Sequence, residues 1–173
     1  MVSCESEDSP EPEIRNFFEY DGKKYEINQA FTTFEFVNPE LGNSANFLMY
    51  LTSPSIYINE SLDEFDGTGN MVILEFNSPS LSEIASGSYF FDDTYYRDPD
   101  YIVVPNSFHY GYVFLNYEVQ SLYAETATEL NEDSEGEIEI EHSGKTTEVS
   151  FELKMKNGKV LKGTYKGKIE RLN

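Results

Sequence analysis

Two histidines, one cysteine and a dense set of carboxylates and phenols are the residues of this chain whose types suit chemistry. Cys4 stands ahead of an acidic run, Glu5 to Glu13, that is dotted by Pro10 and Pro12. A single cysteine makes no intrachain disulfide. With no core beside it, the thiol reads as an attachment point for a thioether-linked lipid. His109 and His142 are the only imidazoles, so a Ser–His–acid relay must use one of them. His109 lies in the aromatic stretch Phe108-His-Tyr-Gly-Tyr112, and His142 ends an alternating strand next to a turn. Packing is the ordinary explanation of both. No nucleophile-elbow sequence is present. With 32 acids in the chain, two carboxylates at glycosidase spacing carry no information. The expectation is a protein without catalytic residues. A hydrolase would require a cleft joining His109 or His142 to a carboxylate within hydrogen-bond reach.

Metal chemistry is equally thin. Zinc is disfavoured by two separated histidines and a cysteine in the tail. Asp63, Glu64 and Asp66 beside Gly67, and Asp92, Asp93, Asp98 and Asp100, offer oxygens to calcium, but neither cluster has EF-hand spacing. No cofactor is expected. The best binding candidate is an aromatic run, Tyr89, Phe91, Tyr95, Tyr96 and Tyr101, with Asp92, Asp93 and Arg97 beside it. Tyrosine is amphipathic and suits an exposed platform for a glycan, a peptide or a small molecule. The competing reading is that half of these rings fill the core. The absence of Trp weakens the sugar reading and removes the Gly-x-Trp signature of lipocalins.

The elements that must position these residues are strands. The chain of 173 residues fits one domain. Thirteen Tyr and 13 Phe favour pleated surfaces. Residues 1–15 read as a disordered acidic tether and 16–173 as an antiparallel β-domain. Asp21-Gly22 predicts a type I′ hairpin that sets Phe18 opposite Tyr25. Phe31–Val37, Phe47–Thr52, Met71–Asn77, Gly87–Phe91 and Tyr101–Val104 read as strands, and Phe108–Tyr123 as one bent strand or two. Residues 66–70 read as a turn, Leu81–Ala85 as a single helical turn, and residues 124–134 as either a short helix or an acidic loop. Toward the end, Ile138 and Ile140 alternate with glutamates, and Val149, Phe151 and Leu153 alternate with Ser150, Glu152 and Lys154. A turn at Ser143-Gly144 pairs Ile138 with Val149. A three-residue bulged loop at Asn157-Gly158-Lys159 pairs Leu153 with Gly163 and keeps the apolar residues on one side. The outward lysines Lys154, Lys156, Lys162, Lys166 and Lys168 then lie beside the Glu137–Glu141 row. Nine or so short strands with little helix predict an all-β fold, a single antiparallel β-sandwich, with a lipocalin-like or other closed barrel as the alternative.

Charge narrows the partners. The net charge is −20. Residues 1–144 hold 29 of the 32 acids and 4 of the 12 bases, so the balance of residues 145–173 is positive. Such an acidic body repels nucleic acid. No apolar run approaches the ~20 residues of a membrane-spanning helix.

Val2-Ser3-Cys4 is similar to the end of a bacterial lipobox, where a small residue precedes the acylated cysteine. Cys4 followed by Glu5, Glu7 and Asp8 resembles surface lipoproteins of the Bacteroidota. The body resembles uncharacterised lipoproteins of that group in three stretches. These are Phe18-Glu-Tyr-Asp-Gly-Lys-Lys-Tyr25, Leu81 with Gly87-Ser-Tyr-Phe-Phe91, and Asn157-Gly-Lys with Leu161-Lys-Gly-Thr-Tyr-Lys-Gly167. The resemblance implies an all-β, surface-exposed domain outside the cytoplasm. It would be held to the outer membrane by acyl chains on Cys4, with its leader removed and Met1 added in cloning. It brings no catalytic residues. The expected role is a non-catalytic binding or structural module, with a small-molecule carrier or a glycan-binding protein as alternatives.

Overall fold

Asp21 and Gly22 both take positive φ, 53° and 73°, as a type I′ turn requires. They join β1 (Phe17–Tyr20) to β2 (Lys23–Glu26), with Phe18 facing Tyr25 and the two rings stacked 5.0 Å apart. In this computed structural model residues 15–38, 44–59, 64–119 and 127–172 are described. Cys4, the rest of 1–14 and Asp63 lie outside the described residues.

The strands that follow are β3 (Gln29–Val37), β4 (Ala45–Thr52), β5 (Ile56–Asn59), β6 (Glu64–Ser78) and β7 (Gly87–Phe91). After the four-residue helix α1 (Thr94–Arg97) come β8 (Ser107–Phe108), β9 (Gly111–Glu118), β10 (Thr128–Glu129), β11 (Glu135–Ser143), β12 (Thr146–Lys154), β13 (Val160–Gly167) and β14 (Ile169–Arg171). The protein is all-β. Eleven strands form one open, curled sheet in the order β14-β3-β4-β6-β8-β7-β11-β12-β13-β1-β2, with β5 and β9 paired to β6 and β10 paired to β9. The sheet is mixed rather than wholly antiparallel, because β14 runs parallel to β3 and β7 parallel to β8. A single residue, Lys168, separates β13 from β14, so one kinked stretch of chain serves both ends of the curl. Inside it lies one cluster of buried side chains, among them Phe18, Phe47, Met49, Leu74, Phe76, Tyr89, Phe108, Ile138, Leu153 and Leu161.

The C-terminal meander buries the expected side with shifted partners. The turn uses Gly144 and Lys145 instead of Ser143 and Gly144, so Ile138 faces Phe151 and Ile140 faces Val149. The next loop spans residues 156–158 and closes with Met155 N donating to Lys159 O, so Leu153 faces Leu161 and Phe151 faces Gly163. Each loop sits one residue from its expected place. That moves the register by two, so the buried face survives. The lysines bond other acids than the Glu137–Glu141 row: Lys154 lies 3.2 Å from Glu135, Lys162 3.4 Å from Glu19 and Lys166 2.8 Å from Glu148.

Other expectations fail for tertiary reasons. The glycine-rich stretch 66–70 is no turn but part of the long strand β6. A Cβ on Gly67, at φ 102°, would lie 2.1 Å from Ser55 O, so glycine admits β5 and its approach there. Tyr101–Val104 has no strand partner among the described residues, residues 81–83 bend and 81–85 form no helical turn, and the one helix among the described residues is α1. Residues 107–118 make two strands. Within 127–134 the chain forms the short strand β10 and a turn.

Candidate functional site

β6 has two covered faces. Val72, Leu74 and Phe76 point into the core, and Met71, Ile73, Glu75 and Asn77 occupy the other side. On that outer side β4 places Tyr50 opposite Ile73, Leu48 opposite Glu75 and Asn46 opposite Asn77. β9 adds Tyr112 opposite Ile73 and Phe114 opposite Met71.

At one end of this face the polar residues form a buried network. Asn46 Nδ2 donates to Glu75 Oε1 (2.6 Å) and to Asn77 Oδ1 (2.9 Å), and Asn77 Nδ2 donates to Ser107 Oγ (3.2 Å). The other carboxylate oxygen of Glu75 accepts the backbone N–H of His109 at 3.0 Å. His109 Nδ1 lies 3.3 Å from the same oxygen, an ion-pair distance without hydrogen-bond geometry. Burial pushes the His109 pKa below its usual value, and the Glu75 and Asp92 carboxylates pull it partly back. Segment 92–106 covers the network. The Tyr95 ring stacks on the His109 imidazole at 3.8 Å, and Tyr101 meets it edge-on at 5.7 Å. Burial first, then the Asp92 carboxylate, pushes the Tyr101 phenol up.

The structure separates the aromatic candidates. Tyr89 is a core residue with no exposed surface, set edge-on to Phe76 at 5.0 Å, with its hydroxyl donating to Ala85 O. It belongs to no platform, because odd positions of β7 face inward. Phe91 is half-buried against Phe108 and Tyr96. Asp92 is buried and accepts the Thr94 N–H at 3.1 Å, which ties it to the start of α1. Asp93 pairs with Arg97 at 3.0 Å, and Arg97 also donates to Glu132 O. These three polar groups brace the 92–106 segment. Only Tyr95 and Tyr96, 46% and 36% exposed, keep open faces, and their rings stand perpendicular 5.0 Å apart.

These two rings join Tyr110 and Tyr112, which the sequence reading does not single out. Tyr95, Tyr96, Tyr110, Tyr112, Glu129 and Glu132 line a hollow of about 260 Å³. It runs, through Tyr110, Tyr112 and Glu129, into a wider one of about 510 Å³ floored by Leu48, Ile73 and Phe114. Tyr110 and Tyr112 are perpendicular, 4.7 Å apart. The Tyr96 hydroxyl donates to His109 O at 2.8 Å, which fixes its ring. Burial, then Tyr95 and nearby carboxylates, pushes that phenol up to about 12, so it stays protonated and neutral at pH 7. Glu129 is held by Lys156 at 2.7 Å. The signal for this groove was the period-two series Tyr110, Tyr112, Phe114. It went unread because Gly111 and Val113 between them and Leu115 after them carry no polar side chain either.

His142 takes no part in this groove. Its Nδ1 lies 2.8 Å from Thr147 Oγ1 and its Nε2 2.6 Å from Ile84 O. Asp66 accepts the Gly67 N–H at 2.6 Å. Among the described residues no three His, Cys, Asp or Glu side chains gather as a metal would need, and no helix is long and apolar enough to cross a membrane.

The fold and the groove define an all-β protein with an open aromatic channel on the outer face of its sheet. The chain matches no protein-family model, no curated protein and no solved structure.

Proposed function

We propose that this chain is a non-catalytic binding module, carried outside the cytoplasm on acyl chains at Cys4, that takes its ligand in the tyrosine groove. The observation that carries the reading is the row of rings that lines the groove, from the exposed Tyr95, Tyr96 and Tyr110 through the half-buried Tyr112 to a buried Phe114. Contiguous exposed apolar surface of this kind marks interaction sites on soluble domains. Tyrosine faces stack on the C–H faces of sugars, and the carboxylate of Glu132 at the rim accepts hydrogen bonds from hydroxyls, so a neutral glycan is the ligand class that fits best. The packed interior supports a surface site over an internal carrier pocket. The nearest approach to catalytic geometry is His109 beside Glu75. Its imidazole is only 12% exposed and lies under Tyr95, and its hydrogen bonds include no serine or cysteine.

A glycan array, followed by calorimetry on any hit, tests the groove. Tyr110→Ala and Tyr112→Ala should each weaken binding at least tenfold, as truncating a buried aromatic anchor by about 2 kcal/mol or more does. Binding unchanged in both variants, or an array and a peptide library both blank for the wild type, rejects the reading. Peptide capture without glycan capture rejects the glycan class alone. For the anchor, radiolabelled palmitate should enter the wild type and not Cys4→Ala when each is expressed behind an export leader. Label retained in the variant rejects it.

A further inference from the structure

We propose that a second cavity, where β14 and the β11–β12 hairpin approach each other at the mouth of the curl, binds a small carboxylate with an apolar tail. The cavity measures about 440 Å³. Phe47, Ile84 and Ile169 give it an apolar floor, and Lys145, Arg171 and Glu83 stand at its rim. Arg171, opposite Thr32 across β14 and β3, is exposed and lines the cavity, and its Nη1 donates to Ser82 O at 2.9 Å. Its remaining N–H groups keep the fork that a carboxylate fills with two parallel bonds. Lys145 comes from the other wall, in the hairpin turn. His142 clasps the floor to that wall. Its ring holds Ile84 O and Thr147 Oγ1, and its backbone N–H donates to Ser86 Oγ at 3.1 Å.

The charge pattern argues for an anion. Six lysines between 154 and 168 each have a carboxylate within 3.4 Å. Lys145 and Arg171 have no ion pair among the described residues, a lack they share with Arg15, Lys23 and Lys24, but these two line one cavity. Two bases left unneutralised, converging on one apolar hollow, leave a net positive rim even with Glu83 present. Their partner is then supplied from outside, and the floor selects one with a hydrocarbon part.

Octanoate, octanol and octyltrimethylammonium, titrated separately into ¹⁵N-labelled protein at pH 7 and physiological salt, test this. Octanoate should shift the amides of Lys145, Ile169 and Arg171 saturably, and octanol should bind at least tenfold more weakly. Butyrate should also bind at least tenfold more weakly than octanoate. Arg171→Gln and Lys145→Gln should each weaken octanoate severalfold, while Glu83→Gln should tighten it. Lys162→Gln, which removes one positive charge outside the cavity, should leave it unchanged. Lys145 sits in an exposed turn, so its variant keeps the test open if Arg171→Gln does not fold. No saturable shift, equal binding of the three octyl probes, or indifference to both Lys145→Gln and Glu83→Gln overturns the proposal.

Discussion

Water touches one face of β12 and almost none of the last eight residues of β6. In β12, Val149, Phe151 and Leu153 are buried while Ser150, Glu152 and Lys154 are exposed. In β6, from Met71 to Ser78, every residue except the half-buried Ile73 is buried on one side or the other. The first pattern is that of a strand that closes a core and does nothing more. The second needs a further layer, and that layer is the polar network, the 92–106 segment and the aromatic groove. The difference teaches that in this molecule the candidate site lies where a strand is covered twice.

The comparison can be broken by measurement. The inner faces should behave alike: Leu153→Ala and Leu74→Ala should each cost about 2–5 kcal/mol in urea unfolding, because both leave a cavity in one core. The outer faces should not. Glu75→Ala removes the acceptor of both Asn46 and the His109 N–H and should cost about 1–3 kcal/mol, the penalty for buried donors left unmatched. A cost near zero would mean that the second layer of β6 contributes no more than a surface.

A pH series sharpens the same contrast. His109 has a lowered folded pKa, with burial the largest cause. As pH falls through about 6.5 the unfolded chain takes a proton that the folded chain still refuses. The contribution is therefore intact above that pH and is lost below it, down to the folded pKa. His109→Gln should flatten this part of the stability profile between pH 7 and 5. An unchanged slope would show that the imidazole is not desolvated. The smallest effect is expected on β12, where Glu152→Ala should change stability by no more than about 0.5 kcal/mol.

How far the sequence reading reached depended on what set each feature. The β1–β2 hairpin was readable in full, since two adjacent positive-φ positions fix turn and register together. The meander yielded its buried face but not its partners, because alternation constrains parity and only the loop geometry selects among registers of equal parity. Of the aromatic run, Tyr95 and Tyr96 reached the groove while Tyr89 went into the core. A tyrosine carries no mark of which face it serves. Tyr110 and Tyr112 were hidden by apolar neighbours, since a strand covered on both sides loses the polar residues that would label one side as wet.

By itself, then, the sequence determined the strand-built architecture, the type I′ turn at Asp21 and Gly22, and the wet and dry sides of β11 to β13. All of these follow from neighbours within a few residues. The tertiary structure alone decided that Glu75 would meet Asn46 and His109, that Tyr95 would lie over that imidazole, and that Lys145 and Arg171 would share a cavity. Period-two patterning tells each strand that it has two faces. What covers each face is supplied by residues distant in the chain, brought there only when the sheet curls.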